Sequence, residues 1–488
     1  MIMIPHFIGH RYRRACVWVM PWLAVWALWG CSLAPVYERP IVPVPSTFSG
    51  DTLAAATRGT GAGAEIHTEE MAFLAAFAPD RDLAPLVSRA LAHSPDFRLA
   101  ALRVDAARAQ YRIQRADSVP ALSAGLAQAR QRFDNADLDA RYQQNLRTAT
   151  LGIGDFELDF FGRVKSLSDA ARERFLASRR GQEAARGALI AEVLRAYAME
   201  RAAAQEREHA QAIDADSASM LRFAVRRHEV GLISRDDLHR QQARSDQARV
   251  AALEAADAHR AALRALQVLA GYDVVPDGGG MEALAGPQAP LDALRDLDSQ
   301  KLLLRPDIRQ AEAELQAAHA DIGAARAAFF PSIRLTTSAG TASQSLGGLF
   351  GSGTGVWSFM PQLALPIFDG GRNRANLDLA WTRQQAGVAE YERAVQVAFR
   401  EVADALDAHT TLVEALRRQT DQDARVQSRV DRWARRTQAQ QADRTELLSE
   451  RIAAEQSAMS RLQAQRSLAL NRIDLFRAFY GVPLPSSL

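Results

Sequence analysis

The stretch PSIRLTTSAG, residues 331–340, has the side-chain pattern of a β-strand that separates two environments. Successive side chains of a strand point to opposite faces. One face carries Ile333, Leu335, Thr337 and Ala339, and the other carries Ser332, Arg334, Thr336 and Ser338. A period of two over about ten residues predicts a strand of a membrane β-barrel, apolar toward lipid and polar toward a lumen.

A second run, VWSFMPQLALPIF at residues 356–368, follows a glycine-rich loop and completes a β-hairpin. Its apolar face carries Trp357, Phe359, Leu363, Leu365 and Ile367. An earlier pair of runs is less regular, because the alternation around residues 148–154 reverses its phase at Asp155. These patterns predict two hairpins of membrane strands, and a soluble β-sandwich hairpin is the alternative that the residues leave open.

The chain contains an internal duplication, which is the strongest organising signal in the sequence. HSPDFRLA and LRPDIRQA match 211 positions apart, as do the prolines at 120 and 331. Further along, the offset is 209 and the matches are Arg163 with Arg372, Glu192 with Glu401, Arg227 with Arg436, and Leu238 with Leu447. Each copy therefore has the same order of a helix, a strand pair and a long helical region.

The long helical regions contain no proline between Pro120 and Pro276 or between Pro366 and Pro483. Alanine, arginine, glutamate, glutamine and leucine dominate them, and all are good helix formers. A continuous helix over residues 162–230 would be about 100 Å long at 1.5 Å per residue. We therefore expect coiled-coil-like helical hairpins rather than globular helices.

Each helical hairpin has a predicted tip. In the first, VGLISRDDL supplies Gly231 as a helix stop and Ser234 as an N-cap, with acidic residues in the following turn. In the second, Asp443 is the predicted N-cap and Glu446 stands three residues later, as in a capping box. Gln440 occupies the position of Gly231, so we expect the second tip to turn differently.

The N-terminus has the pattern of an export signal, with Arg11, Arg13 and Arg14 before an apolar run that ends at about Gly30. Leu28, Trp29, Gly30 and Cys31 resemble a bacterial lipobox, which predicts lipidation of Cys31. Trp29 is bulkier than the motif usually carries. The alternative is an ordinary signal peptide followed by an unmodified cysteine.

Composition argues against several classes of function. The chain has 59 basic and 57 acidic residues, so nothing indicates nucleic-acid binding. Two cysteines build no metal-ligand spacing or disulfide framework, and ten scattered histidines add no catalytic pattern. No phosphate-binding or nucleophile motif occurs. We expect no enzyme activity, no cofactor and no metal site.

Four membrane strands cannot close a barrel, and open sheet edges are not tolerated in lipid. The chain must therefore oligomerise if its strands span a membrane. Two chains would give eight strands, a barrel filled by side chains, and three would give twelve strands and a lumen. A twelve-strand barrel continued by long helices is a conduit.

The combined motifs resemble the TolC-like outer-membrane factor family, in particular its lipoprotein branch that serves multidrug efflux pumps. The resemblance covers nearly the whole mature chain and rests on the lipobox with CSLAPVYERP, ARAQYRIQRADSVPALSAG, FFGR, PIFDGGR, VGLISRDDL and the duplication. It implies a mainly helical homotrimer in the outer membrane, with a twelve-strand β-barrel continued by an α-helical barrel in the periplasm. It also implies a periplasmic adaptor and an inner-membrane transporter, often of the resistance-nodulation-division class, as partners.

On this resemblance the helical tips contact the adaptor or form the gate. The corresponding residues are Gly231, Leu232, Ser234, Asp237, Asp443, Glu446 and Leu447. From the residues alone, Asp237 and Glu446 are explained equally well as helix caps.

The predicted organisation has five parts. They are a lipoprotein signal peptide (1–30), a lipidated extended segment and linker (31–80), the first repeat (81–275), an inter-repeat linker (276–302) and the second repeat (303–488). The predicted function is passive export of small molecules. Type I protein secretion and metal efflux are alternatives on the same fold, whereas a periplasmic adaptor should have one helical hairpin, not two.

Overall fold

The structure is a computed structural model that describes residues 65–79, 83–142, 144–271, 274, 280–285 and 298–483. The predicted signal peptide, Cys31 and most of the inter-repeat linker lie outside these residues. Helix α1 (Thr68–Phe77) precedes the first copy, in the segment predicted as a linker. The first copy contains helices α2 (Ala84–His93) and α3 (Pro95–Ala116), strand β1 (Leu122–Gln131), helix α4 (Ala136–Tyr142), strand β2 (Gln144–Leu158), and helices α5 (Arg163–Glu229) and α6 (Arg235–Ala270). The second contains a 3-10 turn (Ser299–Leu304), helix α7 (Pro306–Ala327), strands β3 (Ser332–Ser343) and β4 (Gly355–Ala364), and helices α8 (Arg372–Gln438) and α9 (Arg444–Ala478).

The helices of the two copies have matching lengths, which confirms the duplication. Helices α3 and α7 are each 22 residues long and begin at a proline, which suits the first turn of a helix because its N–H needs no partner there. Helices α5 and α8 are each 67 residues long. Both follow a left-handed glycine, Gly162 with φ +74° and Gly371 with φ +87°, so the chain turns sharply from strand to helix.

The four strands form one antiparallel sheet in the order β1-β2-β3-β4. Residues paired directly across the strands share a face, so the register sorts the side chains. One face is largely apolar and includes Leu122, Leu126, Leu151, Ile153, Phe156, Leu158, Ile333, Leu335, Trp357, Phe359 and Leu363. The opposite face is more polar and includes Ser123, Thr150, Glu157, Arg334, Thr336, Ser338, Ser358 and Gln362.

The apolar face of the sheet is open to solvent within one chain. Leu126 is 72% exposed and Trp357 is 77% exposed, as expected for side chains that no described part of this chain covers. Strand β4 ends at Ala364, so Leu365 and Ile367 of the predicted run follow the strand rather than extend it. The alternation is confirmed over the strand itself.

A β-bulge explains the phase reversal at Asp155. Ile153 pairs with Thr337 and Phe156 pairs with Leu335, so two residues of β2 face one residue of β3. Asp155 has φ +52°, and its carboxylate accepts a hydrogen bond from Arg334 at 2.9 Å. The extra residue keeps the apolar side chains of β2 on the apolar face on both sides of the bulge.

The helices pack as a layer with two lateral edges. Near the sheet, α5 packs between α3 and α7, and α7 also contacts α8. Farther from the sheet, α5 packs between α6 and α9, and α9 also contacts α8. Helix α8 is thus one edge of the layer, and α3 and α6 form the other. Within the described residues, none of these helices is apolar enough over a sufficient length to cross a membrane.

The largest apolar core lies partway along α5, where α1 and α2 cover the layer. Phe77 of α1, Ile190 and Leu194 of α5, and Ile473 of α9 are fully buried in it. Burial of this apolar area is the main term that holds both copies together.

A buried polar cluster, which we call the equatorial clamp, fixes α1 to this core. The Glu70 carboxylate accepts hydrogen bonds from Arg186 Nε (2.7 Å), Arg186 Nη2 (2.8 Å), the Tyr480 hydroxyl (2.8 Å) and the His67 N–H (2.8 Å). Burial raises the pKa of Glu70, but these donors outweigh it and hold the pKa below its ordinary value. Gly187 leaves room for the Tyr480 ring, since a Cβ there would lie 2.4 Å from it.

A second buried arginine ties three separate segments together. Arg472 of α9 donates to the carbonyls of Leu284 (2.6 Å) and Ala76 (2.7 Å), and its guanidinium lies 5.2 Å from the centre of the Phe77 ring. Burial lowers its pKa to about 10. Helix α1 therefore closes against both α5 and α9.

Candidate functional site at the helical tips

The first tip joins α5 to α6 through a left-handed glycine. Gly231 has φ +77°, the Gly231 N–H donates to the carbonyl of His228 at 2.9 Å, and the Leu232 N–H donates to Arg227 at 2.7 Å. These bonds satisfy the last carbonyls of α5, in the manner of a glycine C-cap.

The second tip uses the same turn, and the expectation that it would turn differently is wrong. Gln440 has φ +59°, its N–H donates to Thr437 at 3.1 Å, and the Gln441 N–H donates to Arg436 at 2.8 Å. These residues are the counterparts of the first tip at the 209-position offset. A non-glycine residue tolerates the left-handed region at a cost of about 1–2 kcal/mol, and the helix-terminating bonds offset it.

The N-cap of α6 is confirmed at Ser234. Its hydroxyl accepts from the Asp237 N–H at 3.1 Å, and the Asp237 carboxylate accepts from the Ser234 N–H at 3.4 Å, which completes a capping box. The Ser234 hydroxyl and Arg240 both donate to the Asp237 carboxylate and lower its pKa. Within one chain the Asp237 charge is therefore offset by its own helix.

The N-cap of α9 is confirmed at Asp443, but the capping box is not. Asp443 accepts from the Thr445 N–H at 3.1 Å, and this backbone hydrogen bond is the main reason that its pKa is lowered. The described contacts include no bond from the Asp443 N–H to the Glu446 carboxylate, so the box predicted here is wrong. The Asp443 carboxylate instead faces Arg227.

The structure brings the two tips of one chain together through contacts that the sequence analysis missed. Arg227 Nη1 of α5 lies 3.6 Å from the Asp443 carboxylate of α9, and the Arg444 guanidinium lies 5.8 Å from the centre of the Phe223 ring. The duplication does not predict the contact between Arg227 and Asp443. The counterpart of Arg227 is Arg436, and its guanidinium lies 4.7 Å from the centre of the Trp433 ring instead.

The remaining predicted tip residues differ in exposure. Leu232 is 69% exposed and Val230 beside it is 70% exposed, so the end of the first tip is an apolar surface. Leu447 is half-buried, and Leu448 next to it is buried. The tips thus combine exposed leucine and valine side chains with cap carboxylates.

The chain matches the family model described as "Outer membrane efflux protein" over residues 86–272 and 297–479. The chain belongs to the outer membrane efflux protein family. The two matched segments fall on the two copies, so the family match and the duplication agree.

Relatives and solved structures of this family match nearly the whole chain. Outer membrane protein OprJ of Pseudomonas aeruginosa is 41% identical over 499 residues, which cover 96% of each chain. Toluene efflux pump outer membrane protein TtgF of Pseudomonas putida is 39% identical over 399 residues, covering 81% of this chain and 82% of TtgF.

The cation efflux system protein CusC of Escherichia coli is 38% identical over 410 residues, covering 81% of this chain and 84% of CusC. A crystal structure of CusC superposes with a TM-score of 0.71 at 33% identity, covering 92% of this chain and 99% of that one. The resemblance to outer-membrane factors is therefore confirmed. The chain is an outer-membrane channel protein of the efflux class, and channels of this family are not enzymes.

Proposed function

We propose that the chain forms the homotrimeric exit duct of a tripartite efflux system, in which cargo passes through a continuous tube without any chemical step. Three chains give a twelve-strand outer-membrane barrel continued by a periplasmic helical barrel. The observation that carries the proposal is the sheet itself. Within the described residues, β1 and β4 each pair on one side only, and the sheet has one apolar and one polar face.

Unpaired edges must be satisfied in lipid, and the only closed solution for such strands is a barrel. If β4 of one chain pairs with β1 of the next, one type of contact satisfies the backbone groups of both edge strands. Cyclic symmetry repeats this contact around the barrel until no edge is left unpaired. Three copies close a barrel wide enough for a lumen, whereas two give a barrel filled by side chains.

The edges of the helical layer support the same assembly. Helix α8 exposes Leu379 and Val413, and the opposite edge exposes Leu102 on α3 and Leu253 on α6. Exposed apolar side chains on both edges fit a lateral contact between neighbouring chains.

The trimer is tested by isolating the outer-membrane fraction of cells that express the full chain. We expect a heat-modifiable trimer that conducts ions in planar bilayers. Recovery of the protein only as a soluble periplasmic monomer would overturn the proposal.

We place the lipid anchor on Cys31, and chain length supports this. Between Cys31 and the start of α1 at Thr68 an extended chain reaches about 120 Å at 3.3 Å per residue. Arg186, the clamp partner of α1, lies about 35 Å along α5 from the end of the sheet at 1.5 Å per residue. The segment between Cys31 and α1 is therefore long enough for a lipid on Cys31 to reach the membrane.

Cys31→Ala tests the anchor. We expect it to abolish incorporation of labelled palmitate, while trimers that assemble still conduct. Unchanged palmitate labelling would refute lipidation at this position.

The tips, with Gly231, Leu232, Ser234, Asp237, Asp443, Glu446 and Leu447, form the adaptor contact and the gate in this proposal. The exposed leucine, the caps and the link between Arg227 and Asp443 support it, because they present a defined surface at the end of the helical hairpins. The remaining partner is an inner-membrane transporter of the resistance-nodulation-division class.

A cysteine crosslink tests the tip. We expect Leu232→Cys to crosslink to the adaptor in cells, whereas Phe350→Cys, similarly exposed but in the loop between β3 and β4, does not. Equal crosslinking at both positions would show that the tip is not the adaptor site.

Small organic molecules are the proposed cargo, in line with the toluene efflux relative TtgF. Metal cations are the second candidate because CusC is nearly as similar. A deletion strain should become sensitive to organic toxicants and keep its tolerance of metal salts. The reverse pattern would favour the cation route, and loss of protein secretion alone would favour type I secretion.

A further inference from the structure

At the end of the sheet nearest the hairpin loops, the apolar face is bordered by a row of polar side chains. Moving along β1, that face carries Leu122, Ala124 and Leu126, followed by Gln128 and Arg130. In β2 the same face carries Arg147, paired with Gln128, next to Ala149, paired with Leu126. The band of apolar side chains therefore stops at the same level on both strands.

The apolar band spans most of the height, about 25 Å, that outer-membrane barrels present to lipid. It extends from the level of Leu158 and Ile333 to the level of Leu126 and Ala149, five rows of paired residues. Rows lie about 6.7 Å apart along a strand, so the band is about 27 Å long and about 20 Å high at a barrel tilt of about 40°. The row of Arg147 begins where this band ends.

The helices leave the sheet at its other end, and the family places them in the periplasm. The loops that follow β1 and β3 therefore face the cell exterior. On the lipid-facing side, Gln128, Arg130 and Arg147 then lie at the level of the head groups of the outer leaflet.

No described carboxylate offsets the charges of these two arginines. Arg147 Nε donates to the Gln128 side-chain oxygen at 3.4 Å, and Arg147 Nη1 donates to the Gln344 carbonyl at 3.1 Å; both acceptors are neutral. Among the described residues, neither Arg130 nor Arg147 has a carboxylate ion-pair partner.

Arginines elsewhere on and beside the sheet behave differently. Arg334 on the polar face is paired with Asp155 at 2.9 Å, and Arg163 just beyond β2 is paired with Glu157 at 2.6 Å. These two arginines thus have the carboxylate partners that Arg130 and Arg147 lack among the described residues.

Acidic residues of the adjoining loop do not fill this role. Asp139 accepts from the Phe133 N–H at 2.8 Å and so serves the loop itself. Neither Asp134 nor Asp137 forms an ion pair with the two arginines in the described contacts.

We propose that Arg130 and Arg147 bind the phosphate of an outer-leaflet glycolipid. Arginine matches phosphate with two parallel N–H donors. Arg147 pairs with Gln128, two residues before Arg130, so the two arginines are diagonal neighbours on one face of adjacent strands. Diagonal neighbours lie about 7–8 Å apart, close enough for two long side chains to share one phosphate group. The acyl chains of the same lipid would lie along the apolar band directly below. The inference rests on the proposed membrane placement of the sheet.

The test uses full-length protein purified in detergent, with diphosphorylated lipid A and the same lipid after phosphatase treatment as probes. Native mass spectrometry counts the bound lipids on wild type, Arg130→Gln/Arg147→Gln and the polar-face control Arg334→Gln. We expect wild type and the control to retain at least about fivefold more of the phosphorylated lipid. The double variant should bind both lipids equally.

A wild type that does not discriminate, or a double variant that still does, would overturn the proposal. Displacement of the lipid by inorganic phosphate at equal concentration would overturn it too, because the site would then recognise the anion alone. Raising the salt concentration should weaken discrimination by wild type, a result that needs no variant. Both arginines lie in one chain, so lipid binding can be measured on a monomer as well as on a trimer. Failure of the chain to form a trimer is therefore distinguishable from failure of the lipid site.

Discussion

Helices α5 and α8 are counterparts of equal length, yet their surroundings differ. Helix α5 has neighbours on both sides and buries large side chains such as Ile190 and Leu194 together with the charged Arg186. Helix α8 lies at an edge, and the side chains that it buries are mainly small, such as Ala398 and Ala405. Duplication therefore reproduced helix length and turn, whereas position in the layer decided burial.

The difference is sharpest at one pair of matched positions. Arg186 of α5 is buried in the equatorial clamp, and its counterpart 209 residues later is Val395, half-buried on α8. The first copy needs a buried cation there because α1 brings Glu70 against it. The described part of α8 has no such covering helix.

Arg186→Met should have the largest effect. It leaves the Glu70 carboxylate buried without its counter-charge, which costs about 3–5 kcal/mol. Urea unfolding in detergent, followed by circular dichroism, measures the loss. Val395→Met at the matched position should change the free energy of unfolding by less than about 1 kcal/mol. Equal effects would show that the copies are energetically alike.

Gly187→Ala should have the next largest effect. A Cβ there would lie 2.4 Å from the Tyr480 ring, and overpacking of this kind costs about 1–3 kcal/mol. Gly181→Ala on the same helix is the control, since its Cβ would meet only the movable end of Gln310 at 2.9 Å. The control should be neutral or slightly stabilising because alanine favours helix. A destabilised control would mean that helix α5 tolerates no added atom at either site.

Exchanging the tip residues should give a smaller effect of opposite sign in the two copies. Gly231→Gln imposes a side chain at φ +77° in open space and should destabilise its tip by about 1 kcal/mol, whereas Gln440→Gly should relieve a similar cost. Amide hydrogen exchange at the two tips should rise about fivefold in the first variant and fall in the second. Changes of the same sign at both tips would contradict the shared turn.

Acidification should have the smallest effect, because the stability that it removes is set only by the difference between the folded and unfolded pKa values of Glu70. The folded-state pKa of Glu70 is lowered, so its contribution is fully present above its ordinary pKa of 4.5 and is lost as the pH falls through the folded-state pKa. Stability measured over that acid range should fall less steeply in Glu70→Gln than in wild type. Identical pH profiles would show that the clamp does not contribute.

Much of the fold could be predicted because local patterns set it. Alternation set the faces of β3, and the irregularity at Asp155 marked a real bulge. The caps at Ser234 and Asp443 were also predictable, because the side chain of a cap bonds to a backbone N–H within three residues.

Contacts between distant segments were not predictable from one sequence. Arg227 gives no sign that it faces Asp443 rather than an aromatic ring, as its counterpart Arg436 does. The turn at Gln440 was predicted wrongly, because residue preference favoured glycine and the hydrogen bonds that end the helix prevailed.

The sequence by itself determined the duplication, the length of the helices, the two faces of the strands and the caps, since each depends on residues near one another in the chain. Only the tertiary structure decided that Glu70, Arg186 and Tyr480 meet in one buried cluster. It also decided that Arg130 and Arg147 have no carboxylate partner at the rim among the described residues. The physical reason is that burial and charge compensation depend on which distant segments pack together, and no local pattern encodes that packing.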